Sequence, residues 1–344
     1  MSTFFILASE RSGTNLLRSL LGAHSAIASP APAPVMSYFQ RRAHIYQAYE
    51  DHPTPLVEDL QELLALEGSP FRWDEIPSYE DLRPRIKGNG AIGVMAAFYE
   101  AYADSKGVQN SLCKEADLFG SSFLIDRSFS DARFIYLVRD GRDVALSERN
   151  SPTKKRPTYL LAERWEEEQA HCLNAYGEFA PEGKAYFLRY EDLLEDPEGT
   201  MKGLLDWAGL DYEEGIFEYY REGQAERGAS SGHLWENLDR PMIRDNSGKF
   251  RTDLGKKRIR TFEKVAGHML IRTGYEVEDP GSVGKKVPKG AEFYYRAFNK
   301  LDRFLKGRHT RKREKGVRTF LKHRQDLVEK RWRDLFSGTR APGI

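Results

Sequence analysis

Three strand-length apolar runs in this chain are each followed by a polar turn and then by a helix-spaced pattern. They are TFFILA (residues 3–8), ARFIYLVR (132–139) and AYFLRYEDL (185–193). A fourth run, SLCKEA (111–116), lies between the first two. Strands alternating with helices predict a parallel sheet covered on both faces, an α/β fold. In such sheets ligands sit beyond the carboxyl ends of the strands. The polar residues at those ends are Ser9–Asn15, Lys114, Arg139–Arg142 and Tyr190–Asp192. Chain order alone therefore predicts that they converge.

The length, 344 residues, suits one large α/β domain or two smaller ones. No run reaches the roughly 18 apolar residues that suggest a membrane span. The N-terminus has no basic region ahead of a long apolar stretch, so secretion is not expected. Cys113 and Cys172 are too few for a disulfide framework, and no Cys/His cluster has metal-ligand spacing. The expectation is two reduced thiols in a cytoplasmic protein and no metal.

The first turn, SERSGTN, precedes a helix that starts around Leu16. A helix start offers unpaired N–H groups and a positive dipole end, which together hold an anion. Gly13 lets the backbone approach a ligand. Ser12, Thr14 and Asn15 offer donors, and Arg11 offers a planar fork for oxyanions. The plainer alternative is a helix capped by Ser or Thr, with Arg11 solvated. The turn lacks the G-x-x-x-x-G-K-[ST] of a magnesium-triphosphate loop and, with its one glycine, the G-x-G-x-x-G of a dinucleotide fingerprint.

The stretch DARFIYLVRDGRDVALSERN, 131–150, places Arg139 at a strand end and Ser147 on the next helix. These two can grip one phosphate from two sides. Asp140 and Asp143, near that helix start, complement its dipole. The plainer alternative is a surface Arg–Asp pair.

ERSGT after the first strand and RDGRDVALS after a later one resemble the sulfotransferase family. The resemblance implies a P-loop-like doubly wound parallel sheet and 3′-phosphoadenosine 5′-phosphosulfate (PAPS) as donor. It implies that Arg11, Ser12, Gly13, Thr14 and Asn15 hold the 5′-phosphosulfate, and that Arg139 and Ser147 hold the 3′-phosphate. CKEADLF (113–119) resembles the family's Lys segment, so Lys114 is expected to face the phosphosulfate. LRYEDLLEDP (188–197) resembles its Tyr-Glu-Asp-Leu segment, with Tyr190 by the adenine. NSGKFRTDL (246–254) resembles the late loop over the nucleotide, with Lys249 and Arg251 as phosphate contacts. The resemblance covers roughly residues 3–276 and not the tail.

The implied activity is in-line sulfuryl transfer to a hydroxyl or amine, with Lys114 and Arg11 offsetting the developing charge. A hydroxyl acceptor needs a general base. Many relatives carry a Glu or His soon after the first helix, but here no acid lies between Glu10 and Glu50. His44, Glu50 and His52 are the candidates, against a plainer reading as polar surface positions. The acceptor is expected to be a lipid, a carbohydrate or a small molecule. Other readings are a kinase-like enzyme of related fold that has lost its Lys, and a non-catalytic nucleotide-binding scaffold.

The domain is expected over 1–280, with substrate-binding insertions at 30–110 and 150–180. Residues 36–110 read as mostly helical, broken at DHPTP and EGSPF. A basic amphipathic helical tail follows, 281–344. Residues 285–344 carry 19 Lys and Arg against 6 Asp and Glu, which leaves 34 basic and 46 acidic residues elsewhere. The formal net charge of +1 thus hides an acidic body with a basic tail. Helical spacing recurs at Tyr294, Phe298, Leu301 and Leu305, and again at Val317, Leu321, Val328, Trp332 and Leu335. Such helices pack on the body or on another chain, as in a homo-oligomer, or lie in a membrane interface. Peripheral membrane attachment is the second of these expectations. Aromatic RNA-binding signatures are missing, so nucleic acid is not expected.

Overall fold

β1 (Ser2–Leu7) divides its side chains between two cores. Phe5 and Leu7 enter one hydrophobic cluster, and Phe4 and Ile6 enter the other. β4 (Ala132–Val138) does the same, with Phe134, Tyr136 and Val138 on one side and Ile135 and Leu137 on the other. Alternation of side chains across a strand, with both faces apolar, requires a sheet buried on both sides. The computed structural model describes residues 1–88, 90–115, 117–150, 156–221, 239–284 and 315–337. In it β2 (Ile27–Ala28), β3 (Asn110–Cys113) and β5 (Ala185–Arg189) complete a five-stranded sheet of order β2-β3-β1-β4-β5. Every pairing is parallel. From β1 the chain turns toward β3, and from β4 toward β5. The crevice therefore opens between the carboxyl ends of β1 and β4.

The helices in chain order are α1 (Thr14–Gly22), α2 (Met36–Gln40), α3 (Ala43–Tyr46), α4 (Thr54–Leu64), α5 (Tyr79–Leu82) and α6 (Ala91–Ser105). Then come α7 (Ser122–Ser128), α8 (Gly141–Asn150), α9 (Thr158–Phe179), α10 (Tyr190–Glu195) and α11 (Pro197–Ala208). α6, α9 and the helix Lys256–Arg272 cover one face of the sheet, and α1, α10 and α11 the other. Cys113 and Cys172 are free and buried. No helix among the described residues is long and apolar enough to cross a membrane.

Two strand boundaries differ from the sequence expectation. β3 stops at Cys113, so Lys114 lies just beyond its carboxyl end. β5 stops at Arg189 because Tyr190 opens α10, whose first turn carries Glu191 and Asp192 at its positive end. β2 was not expected; two residues on an edge leave no alternation to read.

The helix Lys315–Ser337 docks on α3 and α4. Phe320 is fully buried, its ring 4.8 Å from that of Phe71. Arg331 grips buried Asp59 with Nη2 at 2.7 Å and Nε at 3.1 Å, and Tyr46 donates to the same carboxylate at 2.8 Å. His323 pairs with Glu62 at 2.7 Å. Arg324 donates to the Pro34 carbonyl and lies 3.7 Å above the Tyr38 ring. The described helix of the 281–344 segment thus meets carboxylates of α4. The apolar stripe is split, however. Val328 is buried and Val317 and Leu335 pack on the core, while Leu321 and Trp332 face outward. The other expected tail helix, Tyr294 to Leu305, lies outside the described residues.

Candidate functional site

The β1–α1 turn uses two left-handed residues, Arg11 at φ 71° and Gly13 at φ 90°. Gly13 occupies the N-cap of α1, and no side chain caps that end. The capped-helix alternative is therefore not what forms. Gly13 offers no side chain to cap the positive end of this nine-residue helix. Ser12 turns inward instead, its hydroxyl 2.9 Å from that of Ser9. Gln169 of α9 donates to Ser9 at 3.1 Å and accepts from Tyr136 of β4 at 2.9 Å. This buried chain of hydroxyls and amide rigidifies the turn from beneath.

The second motif meets the first directly. Arg11 Nε donates to Ser147 Oγ at 3.0 Å. Arg139 donates through Nη1 to the Arg11 carbonyl at 3.1 Å and through Nη2 to the Asn246 carbonyl at 2.7 Å. Arg139 is 6% exposed, and its Nε has no hydrogen-bond partner among the described residues. Its guanidinium lies 4.6 Å from the Tyr190 ring centre. Tyr190 is buried between that guanidinium and Gly13, where an added Cβ would come within 2.3 Å of the ring. Its hydroxyl accepts from Asn246 at 3.0 Å. Tyr190 therefore braces Arg139 and the turn, and shows no open face of the kind an adenine would stack on.

The late loop is clamped by Asp143, whose two oxygens accept from Gly248 N at 2.6 Å and Phe250 N at 2.8 Å. Burial pushes the Asp143 carboxyl above its ordinary range, against the pull of Arg139. So Asp143 holds the loop rather than simply complementing the α8 dipole. Lys249 and Arg251 are exposed on that loop, Lys249 3.3 Å from the Asn246 side chain. Arg142 is not a solvated surface group. It is buried, clasped by Asp140 at 2.7 Å and Glu263 at 2.5 Å, 4.0 Å above the Phe250 ring.

Lys114 is half-buried just past β3. Burial pushes its ammonium down to about 8, against the pull of Glu10 and aided by Arg18. Among the described residues it has no hydrogen bond or ion pair. The adjoining Glu115 is buried and accepts from Met36 N at 2.8 Å and Ser37 N at 3.0 Å, which ties the Pro-rich loop and α2 to the end of β3. Arg164 of α9 contacts Glu148 at 2.6 Å, Glu168 at 3.2 Å and Glu10 at 3.9 Å. Burial pushes the Glu168 carboxyl up to about 7 despite Arg164. A buried carboxyl titrating there can take protons near neutral pH.

Among the described residues none of the three expected bases shares a hydrogen bond or ion pair with these groups. His44 and Glu50 are exposed, and His52 is half-buried with neither ring nitrogen hydrogen-bonded among the described residues. Their corner packs instead on the C-terminal helix, where Tyr49 donates to the Arg331 carbonyl at 2.9 Å. Nothing local in the sequence distinguishes a polar residue facing that helix from one facing a substrate. Asn246, Gln169 and Glu168 were missed for a related reason. Single amides and acids carry no spacing signature, although Asn246 opens the very loop read for its cations. Among the described residues no group of three or more His, Cys, Asp or Glu is placed to hold a metal ion.

The sheet matches sulfotransferase folds. The sulfotransferase domain of the curacin biosynthetic pathway is 19% identical, with TM-score 0.54, over 80% of this chain and 98% of that one. The sulfotransferase domain of the Synechococcus PCC 7002 olefin synthase is 20% identical, with TM-score 0.51, over 76% and 94%. An uncharacterized protein of Aquifex aeolicus (strain VF5) is 25% identical over 309 residues, 84% of this chain and 35% of that protein. The chain thus spans about a third of the length of that curated relative. The model of the Sulfotransferase family matches residues 3–214, which hold the turn, Lys114, Arg139, Ser147 and Tyr190, and the chain belongs to that family.

Proposed function

We propose that this chain moves a sulfuryl group from PAPS to a hydroxyl or amine acceptor. The observation that carries the reading is the join between its two motifs, Arg11 Nε on Ser147 Oγ with Arg139 on the Arg11 carbonyl. That join puts the uncapped start of α1 and the Arg139–Ser147 pair on one crevice. The residues present fit a nucleotide with two phosphate ends. The α1 amides and Arg11 suit one anion, and Arg139, with its unpartnered Nε, suits another.

When bound, the donor supplies a sulfuryl group on a phosphate leaving group. Arg11, Thr14 and Asn15 would hold the phosphosulfate, and Arg139 and Ser147 the 3′-phosphate. Lys249 and Arg251 stand on the loop that closes the nucleotide side. Lys114 offsets the charge that builds on the bridging oxygen as the acceptor attacks sulfur in line. A partly desolvated ammonium with no hydrogen bond or ion pair among the described residues is suited to that task, because its attraction for an anion is little screened.

Calorimetry of the purified chain tests the reading. Adenosine 3′,5′-bisphosphate should bind in the micromolar range without magnesium, and Arg139→Ala should abolish binding. Tight magnesium-dependent ATP binding in its place would favour a kinase-like reading. Radiolabelled sulfate transfer from PAPS into a host lysate, split into lipid, carbohydrate and small-molecule fractions, then identifies the acceptor class. Bisphosphate binding with no transfer into any fraction would favour a scaffold.

A further inference from the structure

The side of the C-terminal helix turned away from α3 and α4 carries Leu321, Trp332 and Phe336, which are 37%, 47% and 66% exposed. The Trp332 and Phe336 rings, one helical turn apart, sit 4.6 Å centre to centre. Exposed Arg318, Lys322 and Arg333 accompany them. At the rotation per residue of an α-helix these six side chains fall within a sector of about 120°. Glu329 lies in the same sector and is engaged by the Gln325 amide at 2.6 Å.

The inward basic side chains of the helix are engaged. Arg331 pairs with Asp59 and Glu58, His323 pairs with Glu62, and Arg324 sits on Tyr38. The outward cations Arg318, Lys322 and Arg333 have no acidic partner among the described residues. Packing on the body therefore leaves this aromatic and cationic face unexplained.

We infer that this outer face docks on an anionic lipid surface, with the helix lying in the bilayer interface. Paired Trp and Phe rings suit the interfacial layer between headgroups and acyl chains. The flanking Arg and Lys complement anionic headgroups, each such charge adding about 1 kcal/mol of attraction, or roughly fivefold in affinity. A second copy of this face would bring the same positive charge against itself, so charge complementarity selects the lipid. The inference stands on the helix surface alone and does not depend on the transfer reaction.

The test is co-sedimentation of the full chain with vesicles of phosphatidylcholine, alone or mixed with phosphatidylglycerol. Binding is expected to the mixed vesicles only, and to fall with salt. Arg318→Gln with Lys322→Gln should weaken it on the order of 25-fold, as two charges are removed. Trp332→Ala with Phe336→Ala should weaken it about tenfold or more. Bisphosphate affinity should stay unchanged in both variants, which shows that the chain is folded. Failure of the full chain to bind mixed vesicles would overturn the inference. So would equal binding by the variants. Loss in the variants of a dimer seen by sedimentation equilibrium, or of oligonucleotide binding, with no vesicle binding in the parent, would overturn it as well.

Discussion

Arg11 and Ser147, 136 positions apart in the chain, share a hydrogen bond from Nε to Oγ of 3.0 Å. One side chain from the β1 turn and one from α8 thus fix each other before any ligand arrives. Ser147→Ala removes both the brace on Arg11 and a hydroxyl for the phosphate. Bonds to charged groups contribute about 1.5–3 kcal/mol, so affinity for adenosine 3′,5′-bisphosphate should fall roughly 10- to 100-fold by calorimetry.

Gly13→Ala tests the turn. The position has φ 90°, and a Cβ there would lie 2.3 Å from Tyr190. Strain of this kind costs on the order of 1–3 kcal/mol, and the clash adds to it. Denaturant unfolding should show that loss. Added to a Tyr190→Ala background, Gly13→Ala should cost only the part due to the backbone, since the clash is gone there.

Lys114 links activity, stability and pH. Its ammonium is pushed from 10.5 to about 8 by burial. In the free enzyme kcat/KM should therefore decline as pH rises through about 8. The break in kcat should fall at higher pH, since a bound anion favours the charged form. A lowered lysine pKa means that the folded state binds fewer protons than the unfolded state between about 8 and 10.5. Stability should rise with pH across that window, the cost of the buried charge being present in full below it. Lys114→Met should accordingly lower the rate by about 10²–10³ while raising stability at pH 7 by on the order of 1–3 kcal/mol. Rate profiles and urea melts at several pH values check both signs.

Arg331→Ala should release the C-terminal helix and leave the buried Asp59 carboxylate without its guanidinium. Breaking one side of a buried pair costs about 3–5 kcal/mol. The hydrogen bond from Tyr46 to Asp59 persists and moderates this loss. Limited proteolysis should then cut near residue 315 well before the parent chain is touched. Asp59→Asn in the same chain should restore much of the melting temperature.

The parts of the fold legible in the sequence were those written locally. Phe4–Leu7 and Phe134–Val138 are unbroken apolar runs because both faces of the sheet are covered, and such runs stand out. Arg11, Lys114 and Arg139 were legible because each follows a strand, and the topology gathers strand ends. The rest depended on partners far along the chain. Tyr190 could be placed at the site, but its burial between Gly13 and Arg139 depends on three separate segments. Arg324 and Arg331 read as surface charges on a basic tail until Tyr38 and Asp59, near the other end of the chain, are set beneath them. His44, Glu50 and His52 flank Tyr49, which meets a helix from far along the chain, and no local pattern shows that neighbourhood.

That separation has a consequence for biosynthesis. Asp59 and Arg331 are 272 positions apart, and Tyr49 reaches the Arg331 carbonyl across 282. The sheet and the turns at its carboxyl end are complete once the ribosome has passed the loop that Asp143 clamps. The α3–α4 shelf must wait, its Asp59 carboxylate held by Tyr46 alone, until Arg331 has been added. A nascent chain stalled before Arg331 would hold a paired sheet beside an α3–α4 shelf that still lacks its guanidinium.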